Sequence, residues 1–170
     1  VLNKLLCVDP GWTATAYAYF DKDFYPSCTQ YQFTCPNQDT RFKAYLNEFE
    51  YMIQKYKIET VIIEGVENWQ GSLKSRTASA RQDTIKLAYL VGAYKAMCAE
   101  RNIHSIILTA PQWKGQLSKE ATRKRVDRIL EIKTTCSEHI IDAIGIGLSR
   151  DSDLWLLKKK RFFSKNKQET

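Results

Sequence analysis

Apolar residues recur along this chain with two periods, and the switches between them outline the elements. Leu5-Leu6-Cys7-Val8 is a short continuous apolar run closed by Asp9-Pro10-Gly11. It predicts a buried strand ended by turn formers. Residues 13–20 are β-branched, small and aromatic and predict a second strand. Tyr31-Gln32-Phe33 predicts a third by alternation, giving an antiparallel three-stranded meander with a turn at residues 21–23. Asp39-Thr40 can cap a helix to about residue 56, with Phe42, Tyr45, Leu46, Phe49 and Ile53 near helical spacing. Thr60-Val61-Ile62-Ile63-Glu64 is a nearly continuous β-branched run, the mark of a central strand covered on both faces.

Gly65 and a polar loop to about residue 76 come next. Ile85, Ala88, Tyr89, Gly92, Ala96 and Ala99 predict a long helix over residues 79–101. Residues 104–108 read as another buried strand. Pro111 opens a loop or short helix through Trp113. Ser118 begins a basic helix to about residue 132, and Ser137 can cap a last helix over 138–149. Three strands, then helix, strand, helix, strand and helices make a mixed α/β sheet with helices on both faces.

The chain has 170 residues, 44% hydrophobic and 26% charged, so it can bury a real core as one domain. No repeat or linker divides it, and residues 154–170 form a basic tail expected to fray. The formal charge is +7, with an isoelectric point of about 9.1, which favours a polyanionic partner without identifying one. Five cysteines, an odd count without paired short spacing, suggest neither a disulfide framework nor a zinc site. Reduced thiols in a cytoplasmic compartment are the expectation. No membrane-spanning apolar run and no signal peptide are seen. The abrupt start at Val1 reads as following removal of a leader or tag.

Three carboxylates change this picture. Taken alone, Asp9 reads as a turn residue bonded to nearby backbone. Glu64 ends an apolar strand and is either partly buried, which is costly without a partner, or already in solvent. His139 and Asp142 lie three apart on one face of the last helix, with Ile140, Ile141 and Ile144 pointing elsewhere. Glu138 is turned about 100° from His139 and reads as a neighbour. Three acids and an imidazole, with no nucleophilic Ser or Cys matched to a base, suit Mg²⁺, with Mn²⁺ within reach of the imidazole. Two such ions about 4 Å apart would hold both the attacking and leaving oxygens of a phosphodiester.

With Asp9-Pro10-Gly11, strand-end Glu64 and His139-Ile140-Ile141-Asp142-Ala143 in place, the chain resembles the RuvC family of Holliday junction resolvases, which have the ribonuclease H-like fold. The resemblance covers residues 5–149 and is weakest in the first helix. Compact size and a short segment between Lys114 and Lys119 suggest a phage-type relative in a bacterial or phage-infected cell. The resemblance implies a single ribonuclease H-like nuclease domain over residues 1–153, with Asp9, Glu64 and Asp142 as catalytic acids. The remaining ligand position falls on His139, where many family members have Asp. Asp9 would bridge two Mg²⁺, with Glu64 on one and His139 and Asp142 on the other. Pro111-Gln112-Trp113-Lys114 and Ser118-Lys119-Glu120 match a region whose family lysines contact the junction or assist near the scissile phosphate. Lys114 and Lys119 are the candidates, and Lys119 would stabilise charge on the phosphate.

The family pattern further implies a homodimer that binds a four-way junction and nicks two opposed strands. A two-fold protein suits a symmetric junction, and Ala80, Ala88, Gly92 and Ala96 would let the long helix pack closely against a second copy. Trp69 could stack on an unpaired base or anchor its own loop. Lys74, Arg76 and Arg81, and Arg123, Lys124, Arg125 and Arg128 on the later helix, are candidate phosphate contacts. The tail, Lys158-Lys159-Lys160-Arg161 with Phe162-Phe163, suits weak, salt-sensitive DNA contact. The competing readings are a broader debranching nuclease on flaps, forks and Y-junctions, a ribonuclease H-type hybrid nuclease, and a non-catalytic junction-binding module.

Overall fold

The computed structural model describes residues 4–21, 26–66, 83–131 and 133–149. Five strands form one sheet: β1 (Leu5–Asp9), β2 (Ala14–Phe20), β3 (Ser27–Gln32), β4 (Thr60–Gly65) and β5 (His104–Thr109). The order across the sheet is β3-β2-β1-β4-β5. β1, β2 and β3 pair antiparallel as the predicted meander, and β4 and β5 add in parallel beyond β1. The mixed α/β architecture expected from the sequence is the one observed.

The helices are α1 (Gln38–Tyr56), α2 (Asp83–Glu100), α3 (Ala110–Lys114), α4 (Lys119–Leu130) and α5 (Glu138–Gly147). The two-residue period of the strands divides the core between the faces of the sheet. Leu6, Val8, Val61 and Ile63 point to one face and pack with Tyr45, Phe49 and Ile53 of α1 and Leu90, Val91 and Tyr94 of α2. Phe49 stacks on Tyr94 with ring centroids 4.2 Å apart. Leu5, Cys7, Ile62 and Leu108 point to the other face, against Val126 and Leu130 of α4 and Ile141 and Ile144 of α5. Helix α5 lies close on the sheet. A Cβ added to Gly147 would fall 2.3 Å from the Phe20 ring and 2.9 Å from Cys7 Sγ.

Several local expectations are corrected. Asn37, not Asp39, caps α1: its side chain accepts from Thr40 N–H at 2.9 Å. Strand β3 lies earlier than expected and excludes Phe33. Helix α5 ends at Gly147, two residues early. The sequence left the orientation of α2 open: Ile85, Ala88, Tyr89, Gly92, Ala96 and Ala99 face outward, with Ile85 53% and Tyr89 69% exposed. The opposite face, through Leu90, Val91, Tyr94 and Cys98, covers the sheet. An apolar stripe gives the helical period but not which side of a helix meets the core. The first four residues of the predicted helix, the loop from residue 67 onward and the basic tail lie outside the described residues.

Candidate active site

Strand alternation and register build this site. In β1, Leu5, Cys7 and Asp9 share one face; in β4, Ile62 and Glu64 do. Val8 lies opposite Ile63, so both strands deliver their acids at the same end and toward the face that α5 covers. The turn after Asp9 is held by a reciprocal pair: Gly11 N–H donates to Thr15 Oγ1 at 3.3 Å and Thr15 Oγ1 donates to Gly11 O at 3.2 Å. Ser137 caps α5 by accepting from Ile140 N–H, which fixes the first turn of the helix where His139 stands. Burial of Ile141 and Ile144 leaves the other flank of the helix, with His139 and Asp142, for the acids.

The four expected residues are brought together. His139 Nδ1 lies 2.7 Å from Asp9 Oδ2. Asp9 is buried, 8% exposed, so desolvation pushes its carboxyl up; the bond to His139 and the charge of Lys114 oppose this. The same bond raises the His139 imidazole, against partial desolvation. Glu64 is pushed up to about 8, first by burial and then by the charges of Asp9 and Asp142, with Lys114 and the Trp113 indole pulling the other way. Burial and the neighbouring negative charge thus push Asp9 and Glu64 toward their protonated forms, which added positive charge would reverse.

Lys114, at the end of α3, supplies part of that charge. Its Nζ donates to Asp142 Oδ2 at 3.2 Å, with both side chains less than one-fifth exposed. The sequence pointed Lys114 at the junction or the scissile phosphate and gave no sign of this pairing, which arises from the contact of α3 with α5. Lys119 does not reach the acids as Lys114 does. It is exposed and pairs with Glu138 at the rim. Arg123 donates to the carbonyls of Thr134 at 3.2 Å and Cys136 at 3.0 Å, tying down the segment that leads into α5. Lys124 pairs with Glu120 on the solvent side of α4. Arg125 and Arg128 instead line, with Lys114, a groove of about 550 Å³ beside the site. Trp69, Lys74, Arg76 and Arg81 lie outside the described residues.

Among the described residues, no three His, Cys, Asp or Glu side chains stand ready to hold a metal ion. Asp9 is turned to His139 and Asp142 to Lys114. The donor chemistry nevertheless fits a hard divalent cation: three carboxylates and one imidazole. Glu64 Oε2 is the telling atom, since it is buried and accepts no hydrogen bond. A buried carboxylate oxygen without a donor is costly, and a cation beside Asp9 would satisfy it. Also among the described residues, no helix is long and apolar enough to cross a membrane.

No protein-family model matches the chain, and no curated protein is similar to it in sequence. Solved structures are similar in fold. RuvC of Thermus thermophilus, in complex with a Holliday junction substrate, aligns with a TM-score of 0.66 at 16% identity, over 85% of this chain and 90% of that one. The yeast mitochondrial Holliday junction resolvase Ydc2 aligns at 0.58 with 14% identity, over 99% of this chain and 85% of that one. The Fowlpox virus resolvase, in complex with Holliday junction DNA, aligns at 0.50 with 17% identity, over 85% and 94%. With its sheet order, its helices on both faces and its acids gathered at one end, this chain has the fold of the RuvC-like Holliday junction resolvases.

Proposed function

We propose that this chain is a metal-dependent endonuclease that resolves four-way DNA junctions by paired nicks in opposed strands. One observation carries the reading. Asp9, Glu64, His139 and Asp142, from segments far apart in sequence, converge at one end of a resolvase-like sheet, where a buried Glu64 oxygen lacks a partner. Asp9 would bridge two Mg²⁺ ions, Glu64 would hold one, and His139 with Asp142 the other. Bound there, such ions supply Lewis acidity to an attacking water and a leaving 3′ oxygen.

The chain's own residues do the rest. In the free protein His139 Nδ1 is turned to Asp9; that bond would have to open for both residues to take the same ion, and the imidazole must be neutral to ligate. Lys114 balances Asp142 in the free protein and meets a phosphate oxygen once that charge is otherwise compensated. Lys119 exchanges Glu138 for the phosphate. Water adds to phosphorus and the P–O3′ bond breaks, leaving 5′-phosphate and 3′-hydroxyl ends. The groove with Arg125 and Arg128 and the +7 charge favour a polyanion. The outward stripe of α2 supports a homodimer. Ile85 and Tyr89 are exposed, and a Cβ at Gly92 would meet nothing within 4 Å, so a second helix can approach closely.

The test is cleavage of a synthetic four-way junction in Mg²⁺ or Mn²⁺ with both nicks mapped. The wild type should cut opposed strands symmetrically, and Asp9→Asn should bind the junction without cutting. Normal cutting by Asp9→Asn would refute the assignment. Faster cutting of three-way junctions or flaps would move the reading to a general debranching nuclease, and cutting of RNA–DNA hybrids alone to a ribonuclease H.

A further inference from the structure

Helix α3 leaves the sheet beside Glu64. Leu108 pairs with Glu64 and Thr109 with Gly65, and α3 begins at the next residue. Gln112 Oε1 accepts from Thr109 N–H at 2.7 Å, which sets the direction of this short helix as it leaves the strand. Trp113 is thereby carried inward, 3% exposed, into the apolar cluster with Ile62, Leu108 and Ile144.

Two features of Trp113 exceed what filling a core requires. Its ring rests on α5 at a position only glycine can occupy: a Cβ on Gly145 would fall 2.6 Å from ring carbon Cζ3. Its Nε1–H is buried and makes no hydrogen bond. A buried indole N–H ordinarily finds an acceptor. The neighbouring acceptor is Glu64, whose Oε2 is also buried without a donor. The two groups fall short of a hydrogen bond of normal geometry, yet the indole lies close enough to stabilise the carboxylate form of Glu64. On the other side, Lys114 Nζ lies 4.7 Å from the Trp113 ring centroid, in cation–π range, while it holds Asp142. One indole thus meets both halves of the acid cluster.

We propose that Trp113 is a positioning residue: its indole N–H donates to Glu64 and aims that carboxylate at a bound divalent ion, while its ring face supports Lys114 where it meets Asp142. The inference rests on the metal-dependent reading above and assigns a role to a residue that is neither a ligand nor a DNA contact. Glu64 Oε2 has two lone pairs, so the indole N–H takes one and leaves the other for the ion, and the two orphaned polar atoms become partners when the site is loaded. Groups that orient metal ligands from behind carry about 10- to 100-fold in metal affinity or activity.

The experiment uses the ¹⁵N-labelled full chain, whose four tryptophans give four indole N–H signals. The signal missing from Trp113→Phe belongs to Trp113. It should move when Mg²⁺ is added to the wild type, and move again in Glu64→Gln. Trp113→Phe keeps an aromatic ring but removes the donor. It should bind Mn²⁺ about tenfold or more weakly and lose kcat, while its junction Kd stays within about twofold. An indole signal unmoved by both Mg²⁺ and Glu64→Gln overturns the proposal. So does Mn²⁺ affinity in a folded Trp113→Phe equal to that of the wild type. If Trp113→Phe fails to fold, the signal is assigned from its nuclear Overhauser contact to Gly145, and the Glu64→Gln shift decides. That shift needs no cleavage, so it separates this role from the nuclease reading, which falls if the wild type cuts no branched DNA.

Discussion

Glu64→Gln should make the metal-free protein more stable while destroying its response to metal. In the folded chain the Glu64 carboxyl is pushed up to about 8 from an ordinary 4.5, first by burial and then by Asp9 and Asp142. Below pH 4.5 the group is protonated in both folded and unfolded chains and contributes no difference. Above it, the unfolded chain releases the proton and the folded chain retains it until about pH 8. Folding is therefore penalised progressively as pH rises through that window, at about 1.4 kcal/mol per pH unit. By pH 7 this reaches about 3 kcal/mol, an upper limit because water entry and side-chain relaxation soften it. Glutamine has nearly the same shape and no proton to lose. Thermal melts in EDTA should show Glu64→Gln about 6–10 °C above wild type at pH 7 and level with it at pH 4.5. Added Mg²⁺ should raise the wild-type midpoint, since an ion that binds only the folded state stabilises it, and leave Glu64→Gln nearly unmoved. A lower midpoint for Glu64→Gln at pH 7, or an equal gain at both pH values, would show that Glu64 is not held in a desolvated acid cluster.

Three further outcomes follow from the same geometry. The His139 imidazole is raised by its bond to Asp9, so protonation should weaken Mn²⁺ binding and cleavage already as pH falls through the range just above the ordinary 6.5; a profile flat to pH 5 would remove His139 from the ligand set. The sign for stability is opposite, since the His139–Asp9 bond contributes most at acid pH and fades as pH rises through the folded imidazole's pKa. Lys114→Ala leaves Asp142 without its cation beside two other acids, and urea unfolding in EDTA should show a loss of about 1–2 kcal/mol that Mg²⁺ partly restores. Gly147→Ala drives a methyl into Phe20 and Cys7 and should cost about 1–3 kcal/mol, read as a lower urea midpoint with an unchanged m-value.

Much of this protein is settled by local pattern. The run Leu5–Val8 and the run Val61–Ile63 form strands because continuous apolar β-rich segments are stable only when covered on both sides. Ser118 and Ser137 cap their helices because a hydroxyl satisfies an amide that the helix leaves open. Glu64 stood out for a related reason, since a carboxylate at the end of a buried run is costly without a partner, whereas Asp9 alone read as a turn residue and Asp142 joined the set through its spacing from His139 and the family resemblance. Which face of α2 meets the sheet was not legible, because its sequence is apolar most of the way round and only packing against Phe49 and Val61 selects Leu90 and Tyr94. Nor was the partner of each charge. Lys114 lies 28 residues from Asp142 and His139 lies 130 from Asp9, and no periodicity connects them. Those pairings, and the placing of Trp113 between Glu64 and Gly145, exist only once a parallel register and a close-packed helix have brought distant segments into contact. Sequence determined which residues would be costly to bury; tertiary structure decided which of them share the burden of being buried together.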